Sequence, residues 1–522
     1  MRSEIEHPKL TETATDLSLF VTTSDEELEK WDKTQIAKVL MQETHADKEL
    51  AYEVAEEVEE TVKRAKIHNI TTVLIRELAN SKLIEKGRKD LVLSHSRFGL
   101  PAKDVEKILY QQTTENANVI YSPESIHKYF ADAVSKQYSL EYFIPVKYKK
   151  PHLGKAHLKG DIHIHDLDYF PSRPYCAGHD LRYLAKYGLL MDGTGKQTAT
   201  AKPANQPEVL LLHAAKWLGV NQAYFSGAQA YAMFNPIVAP YLAGKTDNEI
   251  KQLAQMFVFE MAQMSVARGA QVVFSDLNLD FGVPKIMEDV DAIGPKGEVV
   301  GVYGDFYEES NKFAMAMLDV YAKGDARGVP FLFPKPLIKI RKEHIGNPEF
   351  DEYLLKAAEV TATMGNPYYV NQTTYEDENI SMCCRLRHVL KEEDYEDLKT
   401  AGRMRSNAIQ NVTVNLPRTA YRAKGNDDRL FELIDEQMKM CQEVHELKRE
   451  AITHLLEANA APLLTMDLDG EPYLRMHKVR HLIGLLGLNE LVQAHTGEQL
   501  HESQEAIKFG WSVIRHMDKN CK

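Results

Sequence analysis

Ser381-Met382-Cys383-Cys384-Arg385-Leu386 sets two cysteines side by side in a chain of 522 residues that contains only five. Adjacent Cα atoms lie ~3.8 Å apart, below the ~4.4–6.8 Å usual across a disulfide, so a bond between Cys383 and Cys384 is disfavoured. Each thiol then needs another use, either as a small buried side chain or as a reactive sulfur. Upstream stands Gly365-Asn366-Pro367-Tyr368-Tyr369-Val370-Asn371-Gln372, which reads as an aromatic strand punctuated by Gly and Pro. Downstream stands Asn411-Val412-Thr413-Val414-Asn415-Leu416-Pro417-Arg418, a second short apolar strand ending in Pro-Arg. A cysteine loop slung between two strands suits a reactive sulfur held at the centre of a barrel.

Working outward, Gly160-Asp161-Ile162-His163-Ile164-His165-Asp166-Leu167-Asp168-Tyr169 precedes Cys176. Its two histidines are spaced to share one side of a strand, but two ligands are insufficient for zinc and no metal site is expected. Further along come Phe225-Ser226-Gly227-Ala228-Gln229-Ala230, Asn235-Pro236-Ile237-Val238-Ala239-Pro240-Tyr241, Arg268-Gly269-Ala270-Gln271, Leu277-Asn278-Leu279-Asp280 and Phe331-Leu332-Phe333-Pro334-Lys335-Pro336. Near the end stand Gly484-Leu485-Leu486-Gly487-Leu488-Asn489-Glu490 and Thr496-Gly497. Short apolar strands alternate with helical stretches such as 248–265 and 308–322, a pattern that predicts an α/β fold. The strongly polar stretch 429–456 reads as a helix carrying Cys441 as a passive thiol, and Cys521 carries no separate signal.

Composition bounds the function. Hydrophobic residues make up 44% and charged residues 27%, with no low-complexity tract, as in a globular protein large enough for a sizeable core. The balance of 63 basic and 76 acidic residues, net charge −13, argues against a surface that coats nucleic acid. Any phosphate site must be local, at an Arg, a Lys or a helix N-terminus. No apolar run approaches the ~20 residues that span a bilayer, and the polar start does not read as a signal peptide. Five cysteines without a disulfide framework fit a reducing cytoplasm.

The amino-terminal region reads as a separate unit. Residues 1–16 are expected to be flexible. Leu17–Thr23 reads as a strand, followed by a helix that Asp32 caps, with Gln35 placed as in a capping box and Ile36, Val39 and Leu40 on one face. A second helix carries Val54, Val58 and Val62. A third begins near Thr71, shows Leu74, Ile75, Leu78 and Leu83, and stops at Gly87.

Taken in order and spacing, these strings resemble the anaerobic (class III) ribonucleoside-triphosphate reductases of the glycyl-radical enzyme family, over most of the chain. The resemblance implies a ten-stranded α/β barrel over residues 113–522, preceded by a mostly helical ATP-cone-like domain and linker over 17–112. Thr22-Thr23-Ser24-Asp25 stands where the first hairpin of that cone usually carries a basic pair. By resemblance Cys384 carries the thiyl radical, with Cys383 as the alternative, and Cys176 supplies a reducing equivalent from the opposite strand. His163, His165, Ser381, Met382 and Asn407 are the implied substrate contacts. Asn407 is also the candidate for a formate-dependent reaction, whereas the extra sulfur at Cys383 favours a disulfide with Cys176 that a thioredoxin-like partner reduces.

The implied activity is reduction of ribonucleoside triphosphates for DNA precursors, under ATP or dNTP effectors. A homodimer and a radical SAM iron-sulfur activase are the implied partners. Family members end in a four-cysteine zinc tail and a radical-glycine loop. This sequence has no CxxC, so the glycyl radical and zinc are expected on a separate or ligated polypeptide. Two other readings remain open at this level: a lyase of the pyruvate formate-lyase kind, and a non-catalytic nucleotide-binding subunit or remnant.

Overall fold

The computed structural model describes residues 20–22, 28–67, 69–110, 119–265, 269–374, 378–382 and 387–521. The chain divides into two compact units, Met1–Gly99 with Leu140–Pro151, and Leu100–Ser139 with His152–Lys522.

In the first unit a three-stranded sheet is ordered β2-β1-β3, from β1 (Phe20–Thr22), β2 (Leu28–Lys30) and β3 (Asn69–Thr71). Residues 17–19 and 23 of the expected first strand lie outside the described residues. Helix α1 (Lys33–Thr44) starts where Asp32 accepts the Thr34 N–H at 2.9 Å. The Gln35 amide reaches the Asp32 carboxylate at 3.4 Å, so the reciprocal backbone bond of a capping box is replaced by a side-chain pair. In α2 (Lys48–Arg64) the four-residue spacing of Val54, Val58 and Val62 puts all three in the core with Ile36, Leu40, Ala79 and Leu83. Helix α3 (Thr72–Glu85) is capped by Thr71, and α4 (Lys89–Ser94) follows Gly87, whose φ of +74° ends the run. Leu74, expected on the buried face of α3, is 40% exposed.

The second unit is α/β. Its strands are β4 (Ile162–Ile164), β5 (Cys176–His179), β6 (Gln229–Tyr231), β7 (Ser275–Leu279), a separate pair β8 (Asp291–Ile293) and β9 (Val299–Val302), β10 (Lys335–Ile340), β11 (Tyr368–Asn371), a second pair β12 (Asn379–Ser381) and β13 (Arg387–Val389), β14 (Ser406–Asn415) and β15 (Arg480–Leu486). The main sheet runs β11-β10-β7-β6-β5-β14-β15, with β4 also on β14. Strands β5, β6, β7, β10 and β11 are parallel, and β14 lies antiparallel to β5 and β4. Among the described residues this curled half-barrel joins eight strands, where ten were expected.

Helices Pro207–Tyr224, Asp247–Gln263 and Tyr307–Lys323 cover the outer face. Trp217, Phe257 and Phe313 share one core there with Ala177, Leu277, Leu279, Ile338 and Ile409. Strand β7 alternates polar and apolar residues from Asp276 onward, and all five of its residues are buried. Its polar set, Asp276 and Asn278, faces inward, where the arm that leads to the cysteine pair fills the space. The expected strand Asn411–Arg418 ends at Asn415. There the Asn415 side chain accepts the Arg418 N–H at 3.2 Å, and Pro417 lies in the first turn of helix Leu416–Ala423.

Candidate functional site

The inner face of the half-barrel is defined by alternation. On β5, Ala177 joins the outer core, so Cys176 and Gly178 point inward. Cys176 is buried in a cluster with Ala228 and Ala408, against Tyr175, Phe274 and Leu482. A Cβ added at Gly227 would lie 2.5 Å from Cys176 Sγ, so a glycine here makes room for the sulfur.

The arm leading to the cysteine pair descends through this interior. At its start Glu378 accepts from Lys339 at 2.9 Å and from Arg341 at 3.0 and 3.1 Å, and Arg341 also donates to Asp280 at 2.5 Å. All four groups are buried. Burial alone would raise the Glu378 pKa, but the charges and hydrogen bonds of Lys339 and Arg341 bring it down to about 2. Burial opposes the charge on Arg341 too, and its two carboxylates nevertheless hold its pKa above the usual value.

Three residues on, the Asn278 amide grips the Ser381 backbone from both sides. Its Oδ1 accepts the Ser381 N–H at 3.1 Å and its Nδ2 donates to the Ser381 carbonyl at 2.9 Å. Met382 then packs on β5, where a Cβ added at Gly178 would meet Met382 Cγ at 2.9 Å. Gly178 and Cys176 share one face, two residues apart. Met382 is thus delivered to the strand that carries Cys176. Cys383 and Cys384 lie outside the described residues.

Strand β14 changes phase along its length. Asn407 is opposite Ala177 and Ala408 is opposite Cys176, so Asn407 lies on the outer face and Ala408 on the inner one. A bulge at Ile409 inserts one residue relative to β15. Beyond it the inner set is Asn411, paired with Leu482, and Thr413, paired with His163, whereas Val412 and Val414 face outward against Ile164 and Ile162 in register. The structure therefore brings Cys176, Ser381 and Met382 together, and sets Asn407 on the other side of the sheet. Asn411 stands inward in its neighbourhood. The signal for it was absent, because a bulge is invisible to a period-two reading.

The two expected histidines form part of a row. Ring centroids of His157 and His163 are 5.2 Å apart, those of His163 and His165 4.6 Å, and those of His165 and Tyr175 6.1 Å. His165 Nε2 lies 2.9 Å from Thr413 Oγ1, and His157 Nδ1 accepts the Ile164 N–H at 3.1 Å. Burial lowers all three pKa values, that of His157 to about 4 with help from His163, so the row is neutral at pH 7. Neutral imidazoles donate one hydrogen bond and accept another, which suits orienting hydroxyl groups. His157 was missed because it sits on the preceding helix, outside the His-x-His string. Among the described residues no group of three or more His, Cys, Asp or Glu is arranged to hold a metal ion.

Behind this row Asp166 adopts a left-handed conformation, φ +49°, as expected of a strand-to-loop turn. Burial, with Asp132 and Asp166 nearby, raises the Asp168 pKa to about 6. Lys448, on the helix Asp427–Glu457, donates to the carbonyls of Tyr169, Phe170 and Arg173 at 3.3, 2.7 and 2.5 Å, and so holds the segment that leads into Cys176. Burial lowers its pKa to about 7, against the pull of Asp166 and Asp168. Cys441 is buried on the same helix, and burial pushes its thiol up to about 12, which leaves it inert; Cys521 is exposed.

Comparison with known proteins places this geometry. Residues 115–522 match the anaerobic ribonucleoside-triphosphate reductase family, and residues 19–97 match the ATP cone domain. The chain is 21% identical over 463 residues to the anaerobic ribonucleoside-triphosphate reductase of Salmonella typhimurium, covering 80% of this chain and 59% of that protein. It is 21% identical over 465 residues to the Escherichia coli protein of the same name, covering 84% and 62%. The chain thus spans about three fifths of the length of the curated relatives it matches. Its fold is similar to that of the Thermotoga maritima anaerobic ribonucleotide reductase solved with dATP bound in the specificity site. That likeness has a TM-score of 0.62 at 15% identity and covers 80% of this chain and 69% of that one.

Proposed function

The chain belongs to the anaerobic ribonucleoside-triphosphate reductase family, and from that membership we propose that its half-barrel performs the thiyl-radical reduction of ribonucleoside triphosphates. The observation that carries the reading is the path of the cysteine arm: fixed at Glu378, gripped at Ser381 by Asn278, and laid by Met382 on the strand of Cys176. In this reading Cys384 abstracts a hydrogen atom from the ribose, with Cys383 as the alternative. A thiyl radical must sit within roughly 3–3.5 Å of the carbon it attacks, in a site that excludes water.

The net reaction replaces the 2′-hydroxyl by hydrogen and releases water. Two thiols supply the two electrons and two protons and are left as a disulfide, here between Cys176 and the cysteine loop, which a thioredoxin-like protein reduces. The neutral row His157–His163–His165 is assigned to the ribose and its hydroxyls, with Ser381 and Met382 lining the sugar. A formate-dependent ending has no support from Asn407, which lies on the outer face of β14.

The same reading parses the chain into a cone and linker over 17–112 and the catalytic barrel over 113–522. A Thermotoga maritima relative has been solved in complex with dATP and CTP, which supports nucleotide effectors and substrates here. In the first unit a cavity of about 700 Å³ has Trp31 and Ile36 in its wall, with Lys30, Arg76 and Arg97 at its polar side, and is our candidate for the effector purine and phosphates. The glycyl radical and its zinc tail are assigned to further or partner polypeptide. The partners are a second copy of the chain and a radical SAM activase, in the cytoplasm.

The test is anaerobic recovery of the native complex with an assay of CTP reduction. Wild-type activity that disappears in Cys384→Ser and in Cys176→Ser supports the assignment. Retention of full activity by Cys384→Ser together with Cys383→Ser would end it.

A further inference from the structure

Lys335, in the Phe333-Pro334-Lys335-Pro336 string, has no place in the chemistry above. Strand β10 turns Ile338 to the outer core, so Lys335, Leu337, Lys339 and Arg341 face inward. Lys339 and Arg341 are matched by Glu378 and Asp280. Lys335 has no such match among the described residues. The buried carboxylate of Asp276 stands in register on β7, yet the two do not form an ion pair.

Instead, the Lys335 ammonium sits among three aromatic rings, 5.2 Å from the centroid of Phe274, 5.1 Å from Phe333 and 5.6 Å from Tyr368. Ring faces attract and orient an ammonium, but they carry no net charge. One of those rings, Phe274, packs on the cluster of Cys176, Ala228 and Ala408. A single aromatic ring therefore separates a half-buried positive charge from the sulfur of the site.

We infer that Lys335 is a binding residue for an oxyanion in the half-barrel, the phosphate tail of the nucleotide substrate or the carboxylate of a small organic acid that takes part in its reduction. The inference rests on the catalytic reading above and adds to it a residue and a ligand charge. The aromatic cage holds the ammonium in place before the ligand arrives, so little side-chain entropy is lost on binding. A charge-assisted hydrogen bond of this kind is strong enough to be read in affinity.

The experiment is calorimetric titration of the full chain with CTP, at low and high salt, for wild type, Lys335→Met, Lys335→Gln and Lys335→Arg. Tripolyphosphate and formate serve as competitors. The expected result is about tenfold weaker CTP binding in Lys335→Met and Lys335→Gln, a shallower salt dependence, and recovery in Lys335→Arg. Competition by tripolyphosphate that vanishes with Lys335 assigns the phosphate source, and the same behaviour with formate assigns the carboxylate. CTP binding and anion competition that are identical in all four proteins would overturn the inference and leave the proposed function standing. A wild-type chain that binds neither CTP nor either anion would overturn both.

Discussion

Glu59 in the first unit and Glu378 in the half-barrel are both buried carboxylates that hold two cations, and they do so for different ends. Glu59 accepts from Trp31 Nε1 at 2.9 Å, from Lys63 at 3.0 Å and from Lys33 at 3.4 Å. Lys63 is one helical turn away on the same helix with its side chain 42% exposed, and Lys33 is shared with the half-exposed Glu56. Glu378 takes Lys339 and Arg341 from a strand 39 and 37 residues earlier, and every member is dry. The first arrangement trims the edge of a core whose stability comes from Val54, Val58 and Val62. The second sits where an apolar residue would pack as well or better, and what it supplies is position. The Lys63 and Glu56 contacts of the first set reach water and are tolerant, although Lys33 itself is buried and distant in sequence; the wholly dry set determines where a loop begins.

That contrast is open to direct test. The largest effect is expected from Arg341→Met, which strands Asp280 as a buried charge and leaves Glu378 with Lys339 alone: a loss of about 3–5 kcal/mol in denaturant unfolding of the second unit. A loss below about 1 kcal/mol would show that the clamp is no more demanding than the Glu59 set. Next, Asn278→Leu removes both bonds to the Ser381 backbone and should cost about 1–3 kcal/mol. It should also speed alkylation of Cys383 and Cys384 by a thiol reagent, and unchanged alkylation would separate Asn278 from the placement of the loop.

Acid sharpens the comparison further. The folded pKa of Glu378, about 2, lies below its ordinary value of 4.5, so its contribution is complete above pH 4.5 and is lost as pH falls from there towards 2. In Glu378→Gln that portion of the acid limb should flatten in an unfolding series over this range. The smallest effect belongs to Lys63→Ala, expected to change stability by less than about 1 kcal/mol because its partner keeps Lys33 and Trp31 and water replaces the ammonium.

Much of this was legible beforehand, and the particular residues say why. Helix faces built on four-residue spacing, such as Val54-Val58-Val62, depend on neighbours in the chain and were read correctly. The Cys-Cys string between two strands was also local information. The Glu378 clamp was not, because its partners come from other strands and each, taken alone, reads as an ordinary charged residue. Leu74 illustrates the opposite failure: an apolar residue at the right spacing, left exposed because α3 buries only Ala79 and Leu83 fully. Asn407 illustrates a third, since one extra residue at Ile409 reverses which side of β14 is which.

That extra residue makes β14 a strand whose count matters more than its spelling. Run as a regular strand without the bulge, the same letters would turn Asn411 and Thr413 outward and bring Val412 and Val414 in. A wall able to bond a sugar would become a greasy one. Homologous strands are therefore best compared by residue number from the bulge rather than by matching letters, and deletion of Ile409, which restores one-to-one pairing with β15, would keep Asn411 and Thr413 inward.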